Sequence, residues 1–80
     1  MKTIKYTRLL TEYNLELTDT QYWLIRRIWT DGSIRDVSIK EKDDTKYLVK
    51  QGLIEYLPSL LGSKWILHRA VTEVYFLGST

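Results

Sequence analysis

The stretch LVKQGLIEY, residues 48–56, joins the end of a predicted helix to the start of a predicted strand. Leu48 belongs to the last helical turn. Gly52 is the residue type that most readily adopts the left-handed conformation in which helices end. Leu53 and Ile54 then open a run of strand-forming residues. The sequence therefore predicts a sharp change from helix to strand at Gly52.

Two capping boxes predict where the helices begin. SIKE, residues 38–41, is one of them, because a serine and a glutamate three residues later can each accept a hydrogen bond from the other's backbone N–H. It predicts a helix over residues 40–51. TDTQ, residues 18–21, is the other, and its helix is predicted to end at Gly32. The predicted buried side of this first helix consists of Tyr22, Leu24, Ile25, Ile28 and Trp29.

Outside these two helices, the spacing of apolar residues and the residue types predict the remaining segments. Apolar residues between Tyr6 and Leu17 recur every three or four positions, which predicts a short helix ending near Asn14. Residues 33–39 fit a pair of helical turns or a short strand. Residues 53–57 and 64–68 are predicted to form two paired strands, a hairpin with a long loop at its tip. Residues 64–77 also fit a helical period, but their β-branched and aromatic content favours strands.

Composition limits the kind of protein. The chain has 80 residues, 44% of them apolar, and no repeat or linker-like segment, so we expect a single domain over residues 1–80. It has no cysteine and no apolar stretch long enough to span a bilayer or act as a secretory signal. We therefore expect a cytoplasmic protein with no membrane association. The net charge of +2 means that any basic surface must come from local arrangement.

The order of elements around residues 48–56 resembles the winged helix-turn-helix family of bacterial and phage regulators, over roughly residues 17–76. In that family a leucine four residues before a glycine ends the recognition helix, as Leu48 and Gly52 would here. The resemblance implies an α+β fold, a small winged helix-turn-helix domain with helices followed by a C-terminal β-hairpin, the wing. Two features depart from the family: the segment between Gly32 and Ser38 is short for a helix, and Asp44 occupies a usually apolar position.

The predicted second helix carries a basic stripe. Lys42, Lys46 and Lys50 follow one another at i+4 spacing, opposite Leu48. The resemblance implies that this face enters the major groove of double-stranded DNA. The candidate DNA-binding residues are Arg35, Ser38, Lys40, Lys42, Thr45, Lys46, Lys50 and Lys64.

Acidic residues argue against this DNA-binding hypothesis. Glu41, Asp43 and Asp44 lie in the first turns of the same helix, where they would repel phosphates. Carboxylates at a helix N-terminus also interact well with the helix dipole, so they have a structural role as well.

Three apolar residues instead predict contact with a protein. Trp23 projects on the polar side of the first helix, so either the N-terminal segment or Arg27 covers it, or it anchors a partner. Leu60 and Leu61 occupy the predicted wing tip, where a wing that contacts DNA would carry basic residues. They either fold back onto the core or form a protein-binding surface.

Catalysis is not expected. His68 is the single histidine, and the sequence contains no nucleotide-binding or metalloprotease motif, so no cofactor or metal is predicted. Two hypotheses remain. The first is a DNA-binding transcriptional regulator, acting as a homodimer so that two weak half-sites add. The alternative is a small phage-type adaptor or inhibitor that binds a host protein through Trp23, Leu60 and Leu61.

Overall fold

A computed structural model describes residues 1–79 of the chain. These residues form two helices and two three-stranded antiparallel sheets, the terminal sheet β2-β1-β6 and the central sheet β3-β5-β4. In chain order the elements are β1 (Lys2–Arg8), β2 (Thr11–Leu17), α1 (Asp19–Asp31), β3 (Ser33–Ile34), a 3₁₀ turn (Ile39–Glu41), α2 (Lys42–Lys50), β4 (Ile54–Leu57), β5 (Lys64–Leu67) and β6 (Val71–Ser79).

Helix α1 has the predicted boundaries. The Thr18 hydroxyl accepts a hydrogen bond from the Gln21 backbone N–H at 3.2 Å, and the Gln21 side chain accepts one from the Thr18 N–H at 3.0 Å. Gly32 ends the helix with φ 85°, and its N–H donates to the Ile28 carbonyl. The helix buries Tyr22, Leu24, Ile25 and Ile28, whereas Trp29 remains 48% exposed.

The short N-terminal helix predicted to end near Asn14 is wrong. Residues 2–17 form two antiparallel strands joined by Leu9 and Leu10, whose φ angles of 51° and 69° are those of a tight two-residue turn. The burial period is two: Ile4 and Tyr6 are buried, and the residues between and beside them are not. The apolar spacing that fits a helix arises because the turn lies between two alternating strands.

The winged helix-turn-helix fold is also wrong. Two strands precede α1, and the segment between Gly32 and Ser38 contains a two-residue strand, not a helix. The chain does not end on the β4–β5 pair, because β6 returns to the terminal sheet and pairs with β1. The physical reason is that residues 2–8 and 71–79 each have strand character and can satisfy each other's backbone hydrogen bonds.

The passage from helix to strand around Gly52 is confirmed. Helix α2 ends at Lys50, Gly52 has φ 76°, and the Leu53 N–H donates to the Leu48 carbonyl at 3.1 Å. The preceding 3₁₀ turn begins the helical segment at residue 39, and α2 proper begins at Lys42. Segments 54–57 and 64–67 are paired strands, and residues 71–79 form a third strand rather than a helix.

A single apolar core lies between the helices and the sheets. Helix α1 contacts strands of both sheets, and α2 packs against α1 and β4. Within residues 1–79, no helix is both long and apolar enough to cross a bilayer. The largest fully buried side chains are Ile4, Leu17, Leu24, Ile25, Ile28, Leu48, Leu53 and Ile54.

Candidate functional site

One corner of the central sheet is left uncovered by the helices. Ile54 and Tyr56 lie on the same face of β4, because side chains two residues apart point the same way. Ile54 is 0% exposed, yet Tyr56 is 46% exposed. Across the strands, the row from Ile34 through Trp65 to Tyr56 also passes from buried to exposed. Side-chain exposure therefore increases toward Tyr56 both along β4 and across the strands.

This corner and helix α2 enclose an apolar groove, which we call the α2 groove. Its cavity volume is about 420 Å³. Val49 of α2 and Val37, which follows β3, provide apolar walls, and Tyr56 and Trp65 form the floor with their ring centroids 4.9 Å apart. The complete lining is Val37, Lys42, Thr45, Lys46, Val49, Tyr56 and Trp65. Its volume and largely apolar lining lie within the range of known ligand pockets, which makes it the candidate site.

Three of the predicted DNA-binding residues line this groove. Lys42 and Lys46 are exposed, and neither has an ion-pair partner among the described residues. Thr45 is buried, and its hydroxyl donates a 2.8 Å hydrogen bond to the Lys42 carbonyl. The groove is therefore apolar inside, with two free ammonium groups on its α2 side.

Two of the three acids in this region are turned toward α1. Glu41 accepts a hydrogen bond from Arg27 at 2.9 Å and another from the Ser38 N–H. Partial burial acts to raise the pKa of Glu41, but the hydrogen bonds from Ser38 and Arg27 outweigh it and lower that pKa. Asp44 accepts a 3.2 Å hydrogen bond from the Gln21 side chain. Asp43 is exposed.

The other predicted contact residues lie around the groove or beyond it. Leu60 and Leu61 lie in the β4–β5 loop and are almost fully exposed, at 107% and 92%, so they do not fold back onto the core. Lys64 begins β5 at the end of the same loop and is partly exposed. The remaining predicted DNA-binding residues are exposed and do not line the groove: Arg35, Ser38, Lys40 and Lys50.

Trp23 lies on a different surface, the outer side of α1. It is 52% exposed, and the guanidinium that approaches its ring, at 5.4 Å, belongs to Arg26 rather than Arg27. Arg26 also faces the rings of Tyr22 and Phe76. The structure thus does not join Trp23 to Leu60 and Leu61 in one surface.

No motif in the sequence indicates the apolar lining of the groove, namely Val37, Val49, Tyr56 and Trp65. The alternation along β4 placed Tyr56 on the inner face, which is a signal for burial, not for a site. His68 has a structural contact, since its Nδ1 accepts a hydrogen bond from the Ala70 N–H at 3.0 Å. In the described part of the chain, no three His, Asp or Glu side chains are grouped so that they could hold a metal ion.

No protein family, curated protein or solved structure was found that matches this chain.

Proposed function

We propose that the protein is a non-catalytic binding module whose α2 groove receives an apolar segment of a partner protein. The observation that carries this proposal is the uncovered aromatic corner of the central sheet, where Tyr56 is 46% exposed although it belongs to the inner face. Apolar surface in water costs about 25 cal/mol per Å², so covering this corner favours association. Aromatic residues are also the typical anchors of protein interfaces.

The neighbouring loop enlarges this surface. Strand β4 ends at Leu57, which pairs with Lys64, and the exposed Leu60 and Leu61 follow within the same loop. Apolar residues at a loop tip and in an adjacent groove offer a partner more area than a small ligand would use. This supports a macromolecular occupant.

A peptide selection tests the proposal. A display library of random peptides about 14 residues long, or four helical turns, is selected on the immobilised full chain. We expect enriched peptides to bind the unchanged protein and to lose about tenfold or more in affinity on a Val49→Asp/Tyr56→Ser variant, measured by fluorescence anisotropy. Both positions are partly exposed, which favours retention of the fold.

The matched control is Tyr75→Ser. Tyr75 is 51% exposed, like Tyr56, but it lies on β6 of the terminal sheet and does not line the groove. We expect this variant to bind the selected peptides unchanged. Equal enrichment on the groove variant and the unchanged chain would reject the proposal.

A second candidate function, binding of double-stranded DNA, is favoured by one specific observation. Because Glu41 and Asp44 are engaged by Arg27 and Gln21, the exposed side of α2 is more basic than its sequence suggests. Lys42, Lys46 and Lys50 would then contact phosphates, in a homodimer that adds two half-sites.

Anisotropy of labelled duplex DNA, titrated with the protein at about 50 and 200 mM salt, tests this candidate. DNA binding predicts affinity that falls steeply with salt and is lost in a Lys46→Glu/Lys50→Glu variant. Absence of binding at high micromolar protein concentration rejects it and leaves the partner-protein proposal unaffected.

A further inference from the structure

We propose that the occupant of the α2 groove is an acidic amphipathic α-helix of a partner protein, which lies beside α2 on the uncovered corner of the central sheet. Two of its carboxylates, one helical turn apart, pair with Lys42 and Lys46. This inference rests on the proposed function, since it names the chemistry of the segment that the groove receives.

The shape of the groove favours a helix. A sheet face is stabilised when a layer of helices covers it, and α2 packs against β4, on which Ile54 is 0% exposed. The corner at Tyr56 and Trp65 belongs to the same face of the sheet, and Val49 of α2 lies beside it. A second helix would complete that layer and bury both aromatic rings.

The chemistry of the lining also favours a helix over an extended segment. The Thr45 hydroxyl already donates to the Lys42 carbonyl, and the other lining side chains besides the two lysines are Val37, Val49, Tyr56 and Trp65. An extended segment would bring its backbone N–H and C=O groups against this largely apolar surface, where an unpaired group costs about 1 to 3 kcal/mol. A helix satisfies these groups within itself.

The charge of the groove selects an acidic partner. Lys42 and Lys46 are four residues apart on α2, so they lie about 6 Å apart along its axis, on neighbouring turns. Carboxylates at i and i+4 of a second helix have the same spacing. Asp43 is turned about 100° from Lys42 around α2 and does not line the groove. The groove therefore presents positive charge at the spacing of one helical turn.

The peptide selection described above tests this inference through the composition of the selected peptides. We expect groove-dependent peptides to carry apolar residues at helical spacing and two Asp or Glu residues three or four positions apart. A proline at the centre of the best peptide should weaken its binding about tenfold or more, because proline breaks a helix.

A charge reversal supplies the decisive comparison. A Lys42→Glu/Lys46→Glu variant should lose the acidic peptide by about tenfold or more and bind a version in which lysines replace its two acidic residues. Binding of the reversed peptide also demonstrates that the variant is folded.

The outcomes separate the two proposals. Groove-dependent peptides that are neutral or basic, or that tolerate proline, would overturn the acidic helix and leave the binding module standing. Selection without any groove dependence would overturn both.

Discussion

The terminal and central sheets have the same number of strands and both pack against α1, yet their inner faces differ. Tyr6, on the middle strand of the terminal sheet, is 4% exposed and stacks on Tyr13 with the ring centroids 5.2 Å apart. This burial raises the pKa of the Tyr6 hydroxyl above its usual value of 10.0. Tyr56, on the edge strand of the central sheet, is 46% exposed. The same residue type serves the core in one sheet and the candidate site in the other.

The difference comes from which part of each face the helices cover. Helix α1 has 13 residues and reaches both sheets, whereas α2 has nine and packs against β4. Helix α2 lies beside the Tyr56 end of β4 and does not cover it, so the side chains there become surface. The exposed aromatic floor of the α2 groove is therefore the edge of the apolar core that neither helix covers.

Matched tyrosine substitutions test this comparison directly and give the largest expected effect. Tyr6→Ala should lower the free energy of unfolding by about 3 to 5 kcal/mol, because it leaves a cavity in the core. Tyr56→Ala should lower it by about 1 kcal/mol, a common value for single substitutions. Urea denaturation of both variants measures the difference. Equal losses would mean that the corner of the central sheet is as tightly packed as the terminal sheet.

Gly52 lies between α2 and β4 of the central sheet, next to Arg8 of the terminal sheet, and its replacement is expected to have the next largest effect. Its φ is 76°, and a Cβ at this position would lie 2.7 Å from Nε of Arg8 on β1. Gly52→Ala should therefore lower the free energy of unfolding by about 1 to 3 kcal/mol, through backbone strain and displacement of Arg8.

Gly32→Ala separates these two causes. Gly32 also has positive φ, at 85°, but has no atom within 4 Å of its built Cβ. The excess loss at Gly52 should shrink in an Arg8→Ala background, as a double-mutant cycle measures. An unchanged excess would show that Arg8 is not the cause.

Replacement of the leucine pair in the β1–β2 turn is expected to increase stability. Leu9 and Leu10 both have positive φ, which costs a non-glycine residue about 1 to 2 kcal/mol. Replacing them with Asn-Gly, the preferred pair for such a turn, should raise the free energy of unfolding by about 1 to 2 kcal/mol. Chemical denaturation detects this change.

The same replacement at Leu60 and Leu61 is the matched control. Within residues 1–79, Leu9 and Leu10 are the non-glycine residues with positive φ, so the β4–β5 loop has no such strain to release. A comparable gain there would show that removing exposed leucines, and not backbone strain, stabilises the chain.

The smallest expected effect concerns Glu55 on the outer face of the central sheet. A 3.0 Å side-chain hydrogen bond from Arg69, together with one from its backbone N–H, lowers the pKa of Glu55 from 4.5 to about 2. The charged carboxylate is thus favoured in the folded state, and its stabilising contribution is lost as the pH falls from 4.5 to about 2. The Glu55→Gln variant should lack this pH-dependent stabilisation, so its urea midpoint should fall less over that pH range than the midpoint of the unchanged protein. Superimposable profiles would contradict the assignment.

Local signals in the sequence predicted part of this fold correctly. Helix α1 follows from the four-residue capping box Thr18–Gln21 and a terminal glycine, and the turn at Gly52 follows from a glycine four residues after Leu48. These features depend on residues close in the chain, so no knowledge of the rest of the molecule was needed.

The two errors have different causes. The N-terminal helix was wrong for a local reason, because residues 2–17 pair with each other as β1 and β2. The winged-helix architecture was wrong because two strands precede α1 and because β6 pairs with β1 about 70 residues away in the sequence. No local pattern in residues 2–17 reports that pairing. The resemblance was carried by residues 48–56, which any chain that turns from helix to strand can use for the same reason.

For the candidate site, the sequence by itself determined the helical spacing that places Lys42 and Lys46 on one side of α2, since this follows from the period of the helix. Only the tertiary structure decided that this side borders a groove. The register that sets Tyr56 beside Trp65, and the position of α2 beside that corner and not over it, are set by packing between different elements of the chain. The exposure of a side chain depends on which other parts of the chain pack over it, and the whole fold decides that packing.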